Sequence, residues 1–202
     1  MFDLERLCSL KADVLPKLAL LAGCFTFVGA PQLMAQEAVS HEHAPVAQIV
    51  ALDECEPQSF NMEIKDGGLG PDFCKNVGLA ALGFTTSLSE LFNSVAQGHP
   101  DPGWDFEPDE VTVKQGTTVI VTDQGGEPHT FTEVKQFGGG FIPPLNGGQD
   151  TVPECSGGFK NVAVAKTRII QGSTVNVTNL SKGEHLFQCC IHPWMRVKVE
   201  VK

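Results

Sequence analysis

Alternation with a period of two governs the second half of the chain. From Trp104 onward, Val111 and Val113 alternate with Thr112 and Lys114, Gly116 supplies a turn, and Thr118-Val119-Ile120-Val121-Thr122 follows. Further short runs read as strands: Val162-Ala163-Val164, Thr174-Val175-Asn176-Val177-Thr178, His185-Leu186-Phe187-Gln188-Cys189 and Val197 to Val201. Such runs, separated by turn residues, predict an antiparallel β-sandwich or barrel. One stretch breaks the rhythm. Residues 134–158 are rich in Gly and Pro, and a loop this long in a compact domain is either functional or disordered. Its apolar residues Phe137, Phe141, Ile142 and Leu145 predict that it packs against something.

Upstream the pattern is mixed, and residues 36–103 read as an N-terminal extension. Val46 to Leu52 has strand character, and Asp66-Gly67-Gly68-Leu69-Gly70-Pro71 is turn material. Residues 86–97 predict one short helix. Thr86 or Ser87 would cap it, Glu90 stands in capping-box position, Leu88, Leu91, Phe92 and Val95 form the apolar stripe, and Gly98 ends it. Residues 1–35 carry Lys11 and Lys17 ahead of an apolar stretch from Leu18 to Ala30, too short to span a membrane. With Leu33-Met34-Ala35 as a cleavage site, this reads as an export signal. Leu21-Ala22-Gly23-Cys24 also resembles a lipoprotein box, which would put a lipid anchor at Cys24. Either route leads out of the cytoplasm, to a periplasmic or extracellular location.

The formal net charge of −10 over 202 residues disfavours nucleic acid and anionic membranes as partners, and steers encounters towards basic ones. Five cysteines follow residue 35: Cys55, Cys74, Cys155, Cys189 and Cys190. Exported proteins usually pair their thiols, and an odd count leaves one over. One metal thiolate would leave four for two disulfides, with Cys55–Cys74 as the local candidate and Cys155–Cys190 as the remainder. Free buried thiols are the alternative, and sequence does not fix the connectivity.

The chemistry concentrates near the C-terminus, in Phe187-Gln188-Cys189-Cys190-Ile191-His192-Pro193-Trp194-Met195. A thiolate, an imidazole and a thioether fall within seven residues, on a loop that the strand pattern places between two strands. If Phe187 faces the core, Cys189 shares its face. Pro193 fixes the backbone after His192. A second imidazole, His129, stands in Glu127-Pro128-His129-Thr130-Phe131, after the turn Asp123-Gln124-Gly125-Gly126. Two His, one Cys and a weak axial Met are the donor set of a blue-copper site. The predicted metal ligands are His129, Cys189, His192 and Met195, around one type 1 copper ion. Taken singly, a Met is usually core and a His beside Pro a loop residue, so conjunction and spacing carry the reading. His41 and His43 belong to a solvated tail, His99 to a linker, and His185 to the surface or the surroundings of the site.

Residues 104–202 resemble a cupredoxin of the plastocyanin–amicyanin–pseudoazurin group. The resemblance rests on Phe106-Glu107-Pro108-Asp109-Glu110-Val111-Thr112-Val113-Lys114-Gln115-Gly116, on Pro128-His129, and on Cys-x-x-His-Pro-x-Met at 189–195. It implies a mainly β, Greek-key β-sandwich with type 1 copper. It also selects Cys189 over Cys190, because Cys-x-x-His is that group's spacing; Cys190 then faces the other way, where a disulfide would hold the loop. In that group the C-terminal His is partly exposed in an apolar patch where electrons pass, so redox partners are expected to dock near His192 and Trp194. The implied function is one-electron transfer between redox partners outside the cytoplasm. A copper carrier or storage protein is the alternative, pointed to by His41-Glu42-His43 alone. Multicopper enzymes need further His clusters, and the six His here leave too few, so no enzymatic activity is expected. The 134–158 insertion is expected either to overhang the copper or to extend the docking surface.

Overall fold

Two four-stranded sheets face each other across one apolar core, in a computed structural model that describes residues 45–202. The first sheet runs in the order β2 (Asp105–Glu107), β1 (Val46–Leu52), β4 (Thr118–Asp123), β8 (Thr174–Val177). The second runs β3 (Glu110–Val113), β10 (Arg196–Val201), β9 (Gly183–Gln188), β6 (Thr132–Val134). A two-stranded ladder joins β5 (His129–Thr130) to β7 (Arg168–Ile169). The fold class is the mainly β sandwich that the alternation predicts. The signal segment with Cys24, and His41 and His43, lie outside the described residues.

Alternation sets the faces. Along β4, Val119, Val121 and Asp123 are buried, while along β10 Val197, Val199 and Val201 are. Phe131 links the layers, stacking on Phe187 at 4.4 Å and meeting Phe106 edge-on at 5.2 Å. Fully burying one such side chain contributes about 1.5–3 kcal/mol, so this column is a main source of cohesion between the sheets.

The stretch read as an extension is part of the sandwich. β1 lies inside the first sheet, parallel to β4 (Val46 opposite Thr118) and antiparallel to β2 (Leu52 opposite Asp105). A boundary at residue 103 therefore cuts through a sheet. Its apolar Ile49 and Ala51 are fully buried, which explains the placement. The expected helix is α3 (Leu88–Ala96), after α1 (Pro57–Phe60) and α2 (Val77–Leu82), two short helices that the pattern did not signal. Ser87 and Glu90 form the capping box, and Leu88, Leu91 and Val95 are buried. Val162-Ala163-Val164, expected as a strand, is instead α4 (Val162–Lys166). Asn161 accepts a hydrogen bond from the Ala163 amide and so caps it, and of its apolar run only Val164 is buried, a one-sided demand that a single helical turn meets.

The 134–158 insertion is ordered by short helical turns and lies over the loop between β9 and β10. Phe141 donates its amide to the Cys190 carbonyl at 2.8 Å, and the Gln188 side chain exchanges two hydrogen bonds with the Gly138 backbone. A Cβ at Gly140 would stand 2.0 Å from the Cys190 carbonyl oxygen, so this crossing requires glycine. Disulfides join Cys55 to Cys74 and Cys155 to Cys190. Both match the expected pairs.

Candidate metal centre

The first sheet delivers the upstream imidazole. β4 ends at Asp123, and the next turn tucks under β1, with Gln124 and Gly125 donating to the Ala51 carbonyl at 2.9 and 3.2 Å. Gly125 is needed there: a Cβ would meet Asp53 Oδ2 at 1.9 Å. The chain then passes Glu127, whose amide donates to Asp53 Oδ2 at 2.9 Å, and enters β5 at His129.

The second sheet delivers the others. Cys189 follows β9, and its amide donates to the Met195 carbonyl at 3.1 Å, while the Met195 amide donates to His192 at 3.0 Å. These bonds close a loop from Cys189 to Met195. His129 Nδ1 lies 4.0 Å from Cys189 Sγ, and His192 Nδ1 lies 3.9 Å from the same sulfur. The three donor atoms sit within 4.8 Å of one another, and His129, Cys189, His192 and Met195 are all buried. Amides of Thr130 and His192 both point at the sulfur at 3.4 Å. Cys189 is the free cysteine among the described residues, whereas Cys190 is bonded to Cys155.

Electrostatics match the geometry. Burial opposes a thiolate, but the two facing imidazoles outweigh it and hold the Cys189 thiol well below its usual range. Burial likewise opposes a charged His129, yet Asp53 and Cys189 raise it well above the ordinary value. Asp53, despite burial, is held down to about 2 by His129 and by backbone donors. His192 is raised to about 9: burial works against it, and the Glu127 charge overcomes that. Burial also pushes the Glu127 carboxyl up, with the facing His192 opposing.

Both outer nitrogens face carboxylates. His129 Nε2 is 3.0 Å from Asp53 Oδ2, and His192 Nε2 is 3.2 Å from Glu127 Oε2, with all four side chains buried. Neither carboxylate was singled out from the sequence. Asp53 is 76 positions from His129, and no local spacing announces it. Glu127, two positions before His129, was open to notice.

His192 is not partly exposed, as the resemblance implied. It is 1% accessible. Leu91 and Phe92 of α3, with Phe141, Ile142 and Leu145 of the insertion, line an apolar cavity of about 190 Å³ that ends on its ring. The insertion therefore overhangs the centre. Trp194, its ring 5.4 Å from that of His192, is only half-buried.

The donor chemistry fits copper. An ion about 2.0 Å from each nitrogen and about 2.3 Å from the sulfur, bond lengths usual for such N and S donors, could sit between donors 3.9 to 4.0 Å apart. The fold brings His129, at the start of β5, to Cys189 and His192 on the loop before the last strand. The fold is cupredoxin-like.

No protein-family model and no curated protein matches the sequence. Solved structures similar to it include a purple cupredoxin from Nitrosopumilus maritimus, at 17% identity and TM-score 0.35, covering 50% of this chain and 86% of that one. A tryptophan-to-tyrosine mutant of reduced amicyanin is 22% identical with TM-score 0.32, over 48% of this chain and 73% of that one. A reduced proline-to-phenylalanine mutant of amicyanin gives 23%, 0.31, 48% and 71% in the same order.

Proposed function

We propose that the chain is a one-electron carrier, not an enzyme, that holds a single type 1 copper ion through His129, Cys189, His192 and Met195. The observation that carries this reading is the convergence of two imidazole Nδ1 atoms on one free, buried thiol, at 4.0 and 3.9 Å. Bound there, copper would supply reversible exchange of one electron between Cu(I) and Cu(II).

The chain's own residues orient and protect. Strand ends and the Cys189–Met195 loop fix donor positions, and the Cys155–Cys190 bridge ties that loop to the insertion. α3 and the insertion exclude water from His192. This buried, closed setting favours electron transfer over the carrier or storage reading, which calls for an open or labile site. Electrons would pass by way of Trp194, the half-buried ring nearest His192, and a redox protein would dock over it in a small, transient interface. Two disulfides support a location outside the cytoplasm, periplasmic or extracellular. No helix among the described residues is long and apolar enough to cross a membrane.

The test is colour. Copper-loaded protein is expected to show an intense blue sulfur-to-copper charge-transfer band and to bleach reversibly on reduction. Cys189→Ser should abolish the band and Cys190→Ser should leave it. A colourless copper complex would favour the carrier or storage role, and colour surviving Cys189→Ser would refute the ligand assignment.

A further inference from the structure

Each ligand imidazole is gripped from behind. Asp53 is 3% accessible and also accepts hydrogen bonds from the Glu127 amide at 2.9 Å, the Cys55 amide at 3.2 Å and the Asn76 side chain at 2.7 Å. The Cys55–Cys74 bridge pins the chain beside it. Asp53 therefore has no freedom to leave His129. Glu127 is 1% accessible, held 3.2 Å from His192 Nε2, and its second oxygen has no partner. Two buried carboxylates are a costly thing to place in a core. Their alignment on both Nε2 atoms, while both Nδ1 atoms face the sulfur, gives that cost a purpose.

We propose that Asp53 and Glu127 are positioning residues of the metal centre: each accepts the Nε2–H of one ligand imidazole, commits its Nδ1 to the ion, and favours the oxidised over the reduced ion. This rests on the copper reading above and adds a cause for its potential. A carboxylate on the far side of a ligand imidazole fixes the tautomer and makes the ligand a stronger base. Negative charge in a low-dielectric interior also stabilises a doubly charged ion more than a singly charged one. The stretch before residue 104, outside the copper-bearing region of the sequence, thereby supplies part of the centre through Asp53.

The test uses the full chain loaded with copper, comparing wild type with Asp53→Asn and Glu127→Gln. Removing such a partner typically weakens metal binding 10–100-fold. The expected loss is larger for Cu(II) than for Cu(I), so each variant's midpoint potential rises, by ~59 mV for every tenfold difference between the two losses. Wild-type potential and wild-type Cu(II) affinity in both variants would overturn the proposal. A wild type that takes up no copper overturns the function beneath it instead, so the two failures are told apart. If either substitution prevents folding, the wild type decides alone. Its diamagnetic Cu(I) form should show two downfield, slowly exchanging imidazole Nε2–H protons by NMR. Absence of both refutes the gripping bonds.

Discussion

Asp53 and Asp123 share a small volume and titrate in opposite senses. The Asp53 carboxyl is held down to about 2 in the fold, below its ordinary 3.8. Its stabilisation is thus full above about pH 4 and is lost as pH falls towards 2, with a magnitude of about 2 kcal/mol. Asp123, buried beside Asp53, is pushed up to about 7 by burial, with His129 only partly opposing. Its contribution is complete below about pH 4 and is lost as pH rises through 7. Thermal melts of metal-free protein should therefore show an acid limb between pH 2 and 4 that flattens in Asp53→Asn. Asp123→Asn should leave that limb and gain stability relative to wild type near pH 7. His129, Cys189 and His192, which the fold brings together, could be picked out because two of them share a short loop and the third follows a clear strand. Asp53 could not, since its contact with His129 is made only once β1 joins the sheet.

At the level of elements, α3 does more than cap the sandwich. Its capping box announced it in the sequence, because Ser87 and Glu90 satisfy backbone groups locally and leave a readable spacing. What it covers was hidden, since the covering contacts are tertiary. Leu91 is 1% accessible and lines the cavity that ends on His192. Leu91→Ala should cost about 2–5 kcal/mol in denaturant unfolding of the metal-free protein. It should also let water reach His192, read as faster exchange of that ring's Nε2 proton. Unchanged exchange would show that the insertion alone seals the ring. The misread run at Val162-Ala163-Val164 is instructive for the same reason: three apolar letters carry no period, and Asn161 decided between strand and helix.

For the molecule as a whole, the property that should bear on encounters is net charge. A formal net charge of −10 should speed electron exchange with a basic protein and slow it with an acidic one. Raising ionic strength from about 0.01 to about 0.15 M shrinks the screening length from roughly 30 to roughly 8 Å. Stopped-flow rates with a small basic haem protein should fall over that range, and rates with an acidic one should rise. Rates that ignore salt would place docking on an uncharged face. The mainly β architecture was legible in the alternating half of the chain. The membership of β1 was not, because a parallel pairing across some 70 residues leaves no local trace.

Cys189 and Cys190 are neighbours with opposite fates, one left free for the centre and one bonded to Cys155. Maturation is therefore a sorting problem. Oxidation that joined Cys155 to the wrong neighbour would consume the metal thiolate and unlock the insertion in one error. Just past the end of β9 the two side chains pack into separate apolar clusters, Cys189 in the core between the sheets and Cys190 with Cys155, Val134 and Val152, so a chain that has folded before it meets oxidant makes the choice by placement, and early occupancy by a metal would guard the same sulfur.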